Sequence, residues 1–559
     1  MRYCLKKTCR RNRCPLVVAL LLLASGLPGK ANVYATDIKL NGSTNNAAIA
    51  ASGPDTTVLI SYILNEPATN VWLQIHSGAA VVWTGSLAGT NTGSNSVAWG
   101  GTNQAGQIVV PGVYQFSITA SSSGYAGWTN ITDDSPHFAV YEPTGIAVNQ
   151  NSNSPFYGRV FAGNAPPNSA AGIFKFNADG SPADEGGFSR SYPWPGGQYD
   201  PGYLYSPWKI AVAPDDTVYI NDWSQSGLVL AFDEVISTNY LTALNSGNYP
   251  YQFPPAGPQL SGPCVTGGGG GTQLWMADAN TDGHSVGVLR YDLTANGAVA
   301  DNDTGTVVVG ISPTGLTLCA YDVAVDASSN IYVIQSLDGF ADPGDYFSTP
   351  RLFCFPPYSN TTELTTNWSV SSEDHSLENA VGVAVDPTGT WVAVAVRGYN
   401  DGSGGELPNG VAGLKNGAVN VYYATNGALV ASLGGGTNDQ FMGVAWDHVG
   451  NLYATDLSAQ VWRTWSPPGT NQAVTPAAPV IQVYNTLTQP SLCSPVAPVA
   501  PASPFGFTLQ GQSNVTYVIE CSPDLVTWTP IATNYDTVDL RYITVPAPCA
   551  NSFFQARVQ

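Results

Sequence analysis

The sequence predicts an all-β protein: a six-bladed β-propeller flanked by two small β-sandwich domains. Three observations carry this. Gly 59 and Pro 41 punctuate a chain of 559 residues in which charged residues are 10%, against a usual share of about 25%, so long helices, which need solvated charged faces and few breakers, are excluded. Hydrophobic residues at 43% and aromatics at 11% are enough for large cores, so the chain is not a disordered one. Finally, a short apolar triplet recurs along the middle of the chain, with runs of alternating apolar and polar residues on both sides of it, the pattern of half-buried strands.

The first 35 residues read as a signal peptide. Arg2, Lys6, Lys7, Arg10, Arg11 and Arg13 precede an apolar run from Pro15 to Leu27, too short to span a bilayer comfortably. Small residues in Val33-Tyr34-Ala35 place the expected cut before Thr36. Removing 1–35 takes away those six basic residues and Lys30 but no acidic one, leaving 12 basic against 39 acidic residues, a net −27. Such a surface disfavours nucleic acid and anionic membrane, which need clustered Lys and Arg. The expected location is secreted, extracellular or cell-surface. Of nine cysteines, six follow residue 35, none in a C-x-x-C pair, so export makes disulfides the default. The candidates are Cys264 with Cys319, and one bridge among the last three, for which Cys521 and Cys549 are put forward.

The first module, 36–136, holds Val58-Leu59-Ile60-Ser61-Tyr62-Ile63, then Val71-Trp72-Leu73-Gln74-Ile75, then Gly112-Val113-Tyr114-Gln115-Phe116. Between the later strands, Trp99-Gly100-Gly101-Thr102-Asn103-Gln104-Ala105-Gly106 and Pro111-Gly112-Val113-Tyr114 follow W-x-G-x-D-x-x-G and P-x-G-x-Y, with Asn103 for the usual Asp. This stretch resembles the immunoglobulin-like domain of flagellar hook-capping proteins. The resemblance implies a β-sandwich serving as spacer or adhesive module, without catalytic residues.

The second module, 137–468, repeats. Ile146-Ala147-Val148, Ile210-Ala211-Val212, Val323-Ala324-Val325, Val383-Ala384-Val385 and Val444-Ala445-Trp446 stand 64, 113, 60 and 61 residues apart. The wide gap hides a degenerate copy near Cys264-Val265-Thr266. Each copy adds a turn and further strands, as in Asn330-Ile331-Tyr332-Val333 and Gly417-Ala418-Val419-Asn420-Val421-Tyr422, and six four-stranded copies make a six-bladed propeller. The last copy ends near Pro467, short of a fourth strand, which 137–141 could supply. Gly-Val-Ala-Val-Asp-Pro-Thr-Gly-Thr-Trp-Val from 382 and Gly-Val-Ala-Trp-Asp-His-Val-Gly-Asn-Leu-Tyr from 443 resemble NHL-type repeats, which implies the blade architecture and is silent on activity.

A Pro/Ala-rich segment, 469–504, reads as a linker whose prolines disfavour pairing. Beyond it, 505–559 carries Tyr517-Val518-Ile519-Glu520-Cys521-Ser522-Pro523-Asp524-Leu525 and a closing Phe553-Phe554-Gln555-Ala556. This resembles a small C-terminal β-sandwich of exported proteins in Verrucomicrobia-like bacteria, and implies surface or secreted placement with no known chemistry.

Catalytic constellations are sparse. Five scattered histidines lack metal-ligand spacing, and no G-x-S-x-G elbow or P-loop is present. The glycine run 267–271 lacks the Lys-Ser/Thr of a phosphate cradle and reads as a flexible turn. Asp278, Asn280 and Asp282 in D-x-N-x-D-G have the oxygen-ligand spacing of a calcium loop, but the position of the bidentate Glu is Leu289. The alternatives are a partial calcium site and an acidic turn. The connections 185–206 and 236–262 are long and aromatic. Trp194, Tyr199, Tyr203, Tyr205, Tyr249 and Tyr251 are the candidate ligand-stacking residues, suited to sugar faces, against the alternative that they pack loops onto the rim.

The sequence therefore points to a secreted or cell-surface binding or adhesion protein whose propeller loops take an extracellular ligand, a polysaccharide ahead of a protein. One alternative is a propeller hydrolase or lactonase acting on sugars with a divalent metal, which needs an acidic cage at the channel mouth. Asp322 could reach that mouth, but Gly145, Lys209, Gly382 and Gly443 hold the equivalent places. The other alternative is a structural scaffold of a surface complex.

Overall fold

The computed structural model describes residues 32–51, 56–166, 172–183, 191–196, 206–223, 228–237, 239–248, 260–279, 286–310, 320–335, 351–360, 365–371, 377, 379–399, 415–436, 439–484, 490–496, 505–511, 515–536, 540–545 and 553–558. Among these residues, six four-stranded antiparallel sheets follow one another through the middle of the chain. Their innermost strands are Pro143–Val148, Ile210–Val212, Leu260–Thr266, Ala320–Val325, Ala380–Val385 and Phe441–Trp446. Each packs beside the next, and the sixth returns to the first, closing a ring. Every apolar triplet read from the sequence, the degenerate one at 264–266 included, lies on one of these strands.

The turn after the inner strand is set by its first aspartate. In sheet four, Asp326 accepts the backbone N–H of Ser328 at 2.9 Å and of Asn330 at 2.8 Å. In sheet six, Asp447 accepts those of Val449 at 3.0 Å and Asn451 at 2.8 Å. A carboxylate that gathers two local amides fixes the reversal, so the second strand starts in register. The glycine run of sheet three is likewise ordered at Gly269–Gly271, a single 3₁₀ turn, with Gly269 N–H donating to Asp215 Oδ2 at 2.9 Å.

Sheet six borrows its outer strand from upstream. Thr129–Asn130 pairs with Val461–Ser466 through Asn130 opposite Trp465 and Thr129 opposite Ser466. The expected donor, 137–141, contributes one isolated bridge, Ala139 to Val461. It stops there because Pro136–Phe138 form a 3₁₀ turn that drops Phe138 edge-on onto Trp462 at 4.8 Å.

Two sequence-based boundaries are corrected by packing. Asn32, Val33, Tyr34 and Ala35 are fully buried, and Ala35 opens the strand Ala35–Leu40. Asn32 O accepts the side-chain amides of Asn65 and Asn451, both at 2.8 Å, so a cut before Thr36 would remove part of the core. The segment from 469 is no free linker either. Gly469–Pro476 pairs with Gly112–Tyr125, and Ile481–Tyr484 runs parallel to Ala47–Ala50. Alternation wins over the prolines here, since Asn471, Ala473 and Thr475 turn inward and Pro476 sits at the strand's end.

These strands complete the first sandwich, whose sheets enclose Ile60, Leu73, Trp99, Phe116 and Ile481. Asn103 fills the aspartate's role in its hairpin, accepting the N–H of Ala105 at 3.0 Å and of Gln107 at 2.9 Å. The C-terminal module is a pair of three-stranded sheets around Phe507, Leu509, Tyr517 and Ile519, and Ala48 of the first sandwich enters this core. Asp524 accepts the N–H of Val526 and Thr527, which holds its carboxyl down at about 2.

Candidate functional site: the central channel

The inner strands surround a channel, and the residue one step ahead of five triplets lies around one ring: Gly145, Lys209, Asp322, Gly382 and Gly443. The glycines are there because the strands crowd. A Cβ on Gly145 would fall 2.5 Å from the carbonyl oxygen of Trp208, and one on Gly443 would fall 2.7 Å from that of Thr144. A Cβ on Gly382 would lie 3.2 Å from the Lys209 ammonium, which occupies the space the missing side chains leave.

Lys209 and Asp322 meet across this ring with Nζ 3.8 Å from Oδ2, their side chains 6% and 10% exposed. Nζ also donates to the carbonyl oxygens of Val381 and, at 2.8 Å, Met442. Asp322 accepts the N–H of Val323 and of Val383, both at 3.0 Å. One ion pair thus ties sheets two, four, five and six. Burial pushes the Lys209 pKa down and that of Asp322 up, and each partner's charge opposes the other's shift. A buried pair with its hydrogen bonds filled fixes geometry more than it adds stability.

Toward the start of the inner strands the channel is filled by aromatic rings. Trp208 meets Trp223 edge-on at 4.3 Å, and Trp223 lies 5.5 Å from Tyr321. Toward the other end lies a cavity of about 210 Å³, walled mostly by Val, Ala and Ile of the inner strands and also lined by Lys209, Asp322, Cys264 and Gln150. Gln150 Nε2 donates to Trp446 O at 2.7 Å, linking sheets one and six. Burial raises the Cys264 thiol to about 12, which favours the thiol over the thiolate.

A metal-activating cage needs several carboxylate or amide oxygens with free lone pairs. This ring offers one carboxylate, and Lys209 and two backbone amides already use it. The residues do not fit a divalent cage. The arrangement is a structural lock that closes the ring.

The other sequence-predicted residues fall elsewhere. Trp194 is 9% exposed and packs in the core of sheets one and two, 6.4 Å from Phe232. Its ring is packed among the apolar side chains of these two sheets. Tyr199, Tyr203, Tyr205, Tyr249 and Tyr251 lie outside the described residues. Asp278 is fully buried at the end of Gln273–Asp278 and accepts the N–H of Val286 at 2.9 Å, while Asn280 and Asp282 are outside the description, so no calcium site is assembled from described side chains. Cys264, Cys354 and Cys521 are free thiols, and the proposed partners Cys319 and Cys549 lie outside the described residues. The Lys209–Asp322 contact is the element that reading by residue type misses. Its signal was opposite charges at equivalent places of a repeat, which a closed ring must bring together.

The profile of the FlgD Ig-like domain matches residues 39–124. No curated protein matches the chain. Among solved structures, the family AA12 carbohydrate-active enzyme of Trichoderma reesei is 12% identical with a TM-score of 0.37, covering 62% of this chain and 97% of that one. A glucose dehydrogenase is 10% identical with a TM-score of 0.38, covering 61% and 99%. PorZ, a surface component of the type-IX secretion system of Porphyromonas gingivalis, is 11% identical with a TM-score of 0.32, covering 93% and 70%.

Proposed function

We propose that this protein is an exported binding or adhesion protein in which a six-bladed, NHL-like propeller carries the ligand surface between two sandwich modules. Processing before Asn32 fits this reading, because Gly29-Lys30-Ala31 has small residues at the required positions and Asn32, the first described residue, is buried. The observation that carries the binding reading is the channel. Among the described residues its one carboxylate is held by Lys209, so no unengaged acid, base or metal-ligand set is presented to a substrate there. The hydrolase reading draws correspondingly less support, and calcium is assigned at most a structural role with Asp278, Asn280 and Asp282. Aromatic residues in 197–205 and 249–259 supply hydrogen-bonding rings suited to a polysaccharide.

The test is a glycan array with the full chain from Asn32, beside a Tyr199→Ala, Tyr203→Ala variant; Trp194 is left in place because it packs the core. The expected outcome is polysaccharide binding that the variant weakens at least about tenfold, the scale of one or two stacked rings, and that salt barely changes. Equal binding by both proteins, or no glycan bound, overturns the reading.

A further inference from the structure

The joint between the first sandwich and the ring is built around two buried acids. In sheet six, Asp447 Oδ2 accepts Asn451 Nδ2 at 2.7 Å and the Tyr453 hydroxyl at 3.3 Å. The same trio recurs in sheet four, where Asp326 Oδ2 accepts Asn330 Nδ2 at 2.8 Å and the Tyr332 hydroxyl at 3.0 Å, but there the carboxylate stays part-exposed. In sheet six the chain's own Asn32–Tyr34 lies over the trio. Asn451 Nδ2 also donates to Asn32 O at 2.8 Å, and the Tyr34 hydroxyl lies 3.4 Å from that of Tyr453. Glu66, the second acid, is buried at the same joint and accepts the hydroxyls of Tyr125 at 2.8 Å and Ser466 at 3.2 Å. Ser466 Oγ also lies 2.8 Å from Asn451 Oδ1, so one hydroxyl proton serves two acceptors.

Neither acid has a positive partner. Among the described residues no Lys, Arg or His pairs with Glu66 or Asp447, and burial pushes both carboxyls up. His448 stands against Tyr157, ring centroids 6.1 Å apart, and burial favours its neutral form. A buried charge is ordinarily paired, because desolvating it alone costs too much. Beside these acids, Asn32 is fully buried with donors to spare. Its Nδ2 finds no acceptor, and neither does its backbone N–H among the described residues. The Asn32 carbonyl shares the Asn451 amide nitrogen with Asp447, and it also accepts Nδ2 of Asn65 at 2.8 Å, the residue before Glu66.

We propose, resting on the reading that processing falls before Asn32, that the α-ammonium released there is the counter-charge of Asp447 and Glu66 and completes the joint between sandwich and ring. Hydrolysis of the Ala31–Asn32 bond consumes one water and leaves a carboxylate on Ala31. It turns the Asn32 N–H, a single neutral donor, into an ammonium with three donors and a positive charge. A chain that still carries its leader has two buried acids and no charge to balance them. Export therefore tightens a joint that the precursor holds loosely.

The test compares the full chain from Asn32, released from a removable fusion partner with its amine free, with the same chain acetylated at that nitrogen, which restores a neutral amide. Acetylation is expected to lower the melting temperature by at least about 3 °C. Glu66→Gln combined with Asp447→Asn should shrink that shift by half or more, as groups that interact do. The pH dependence of reagent acylation at the Asn32 amine separates pairing from burial, since pairing raises its midpoint above the ordinary ~8 and burial alone lowers it. Equal melting temperatures, a shift that the double variant leaves unchanged, or a midpoint at or below ~8 each overturns the pairing and leaves the processing reading standing. Mass spectrometry of the exported protein tests that reading by itself: a mature chain that begins at any residue other than Asn32 overturns both.

Discussion

Sheets four and six present one side-chain design in two environments. Asp326 and Asn330 are part-exposed, whereas Asp447, Asn451 and Tyr453 are fully buried beneath Asn32 and Tyr34. The covering strand changes what the same carboxylate does. Burial lifts Asp447 to about 7 from the ordinary 3.8, although the amides of Asn451 and Gly450 and the Tyr453 hydroxyl pull it back. The covered node therefore joins the first sandwich to the ring, and the interface extends through Glu66, which accepts the hydroxyls of Tyr125 at 2.8 Å and Ser466 at 3.2 Å.

The largest effect that would break the comparison is Tyr34→Ala. It empties the covered site and should cost about 3–5 kcal/mol in urea unfolding. A loss below about 1 kcal/mol would mean that the cover contributes no more than a surface contact. A second test uses pH. A carboxyl raised in the folded state binds its proton more readily folded than unfolded, so its contribution makes stability fall as pH rises from about 4 to about 7, by up to about 1.4 kcal/mol per pH unit. Glu66, raised by burial, acts in the same sense, while His448, lowered by burial, acts oppositely as pH drops through its ordinary 6.5. The quantity to measure is therefore the slope difference between wild type and Asp447→Asn. The smallest contrast is between the two asparagines. Asn451→Ala strips partners from Asp447, Asn32 O and Ser466 Oγ and should cost about 2–3 kcal/mol, against about 1 for Asn330→Ala, whose surroundings admit water. Equal losses would remove the difference in cover from the explanation.

Much of this architecture was legible because repetition is. Each triplet marks an inner strand, and the degenerate copy at Cys264 was recoverable from spacing alone. Pairing over long range was not. Residues 469–484 read as linker because prolines weigh locally, while the outcome was decided by Gly112–Tyr125 and Ala47–Ala50, hundreds of residues away in the chain. The cut expected before Thr36 meets the same difficulty: small residues fit at −3 and −1, but Asn32–Ala35 are buried through contacts with Asn451 and Asn471. At the site, charge pattern hinted at Asp322, and ring closure was needed to pair it with Lys209. Trp194 showed the converse, an aromatic that looked available to ligand and is spent on Phe232.

The strand that runs parallel to Ala47–Ala50 has a consequence for the order of assembly. Ala47 N–H donates to Val480 O at 3.1 Å, and Val480 N–H donates to Asn46 Oδ1 at 2.8 Å, across 434 residues of sequence. Because the loop between them must be closed before these contacts repay it, the first module to leave the ribosome is among the last to be finished. It keeps an unfilled sheet until the six sheets have been made, and the last of those sheets takes its outer strand back from Thr129–Asn130, which left the ribosome before it. Each unit holds a piece of the other, so loss of 469–484 leaves the first sandwich unfinished and loss of 129–130 leaves the ring so.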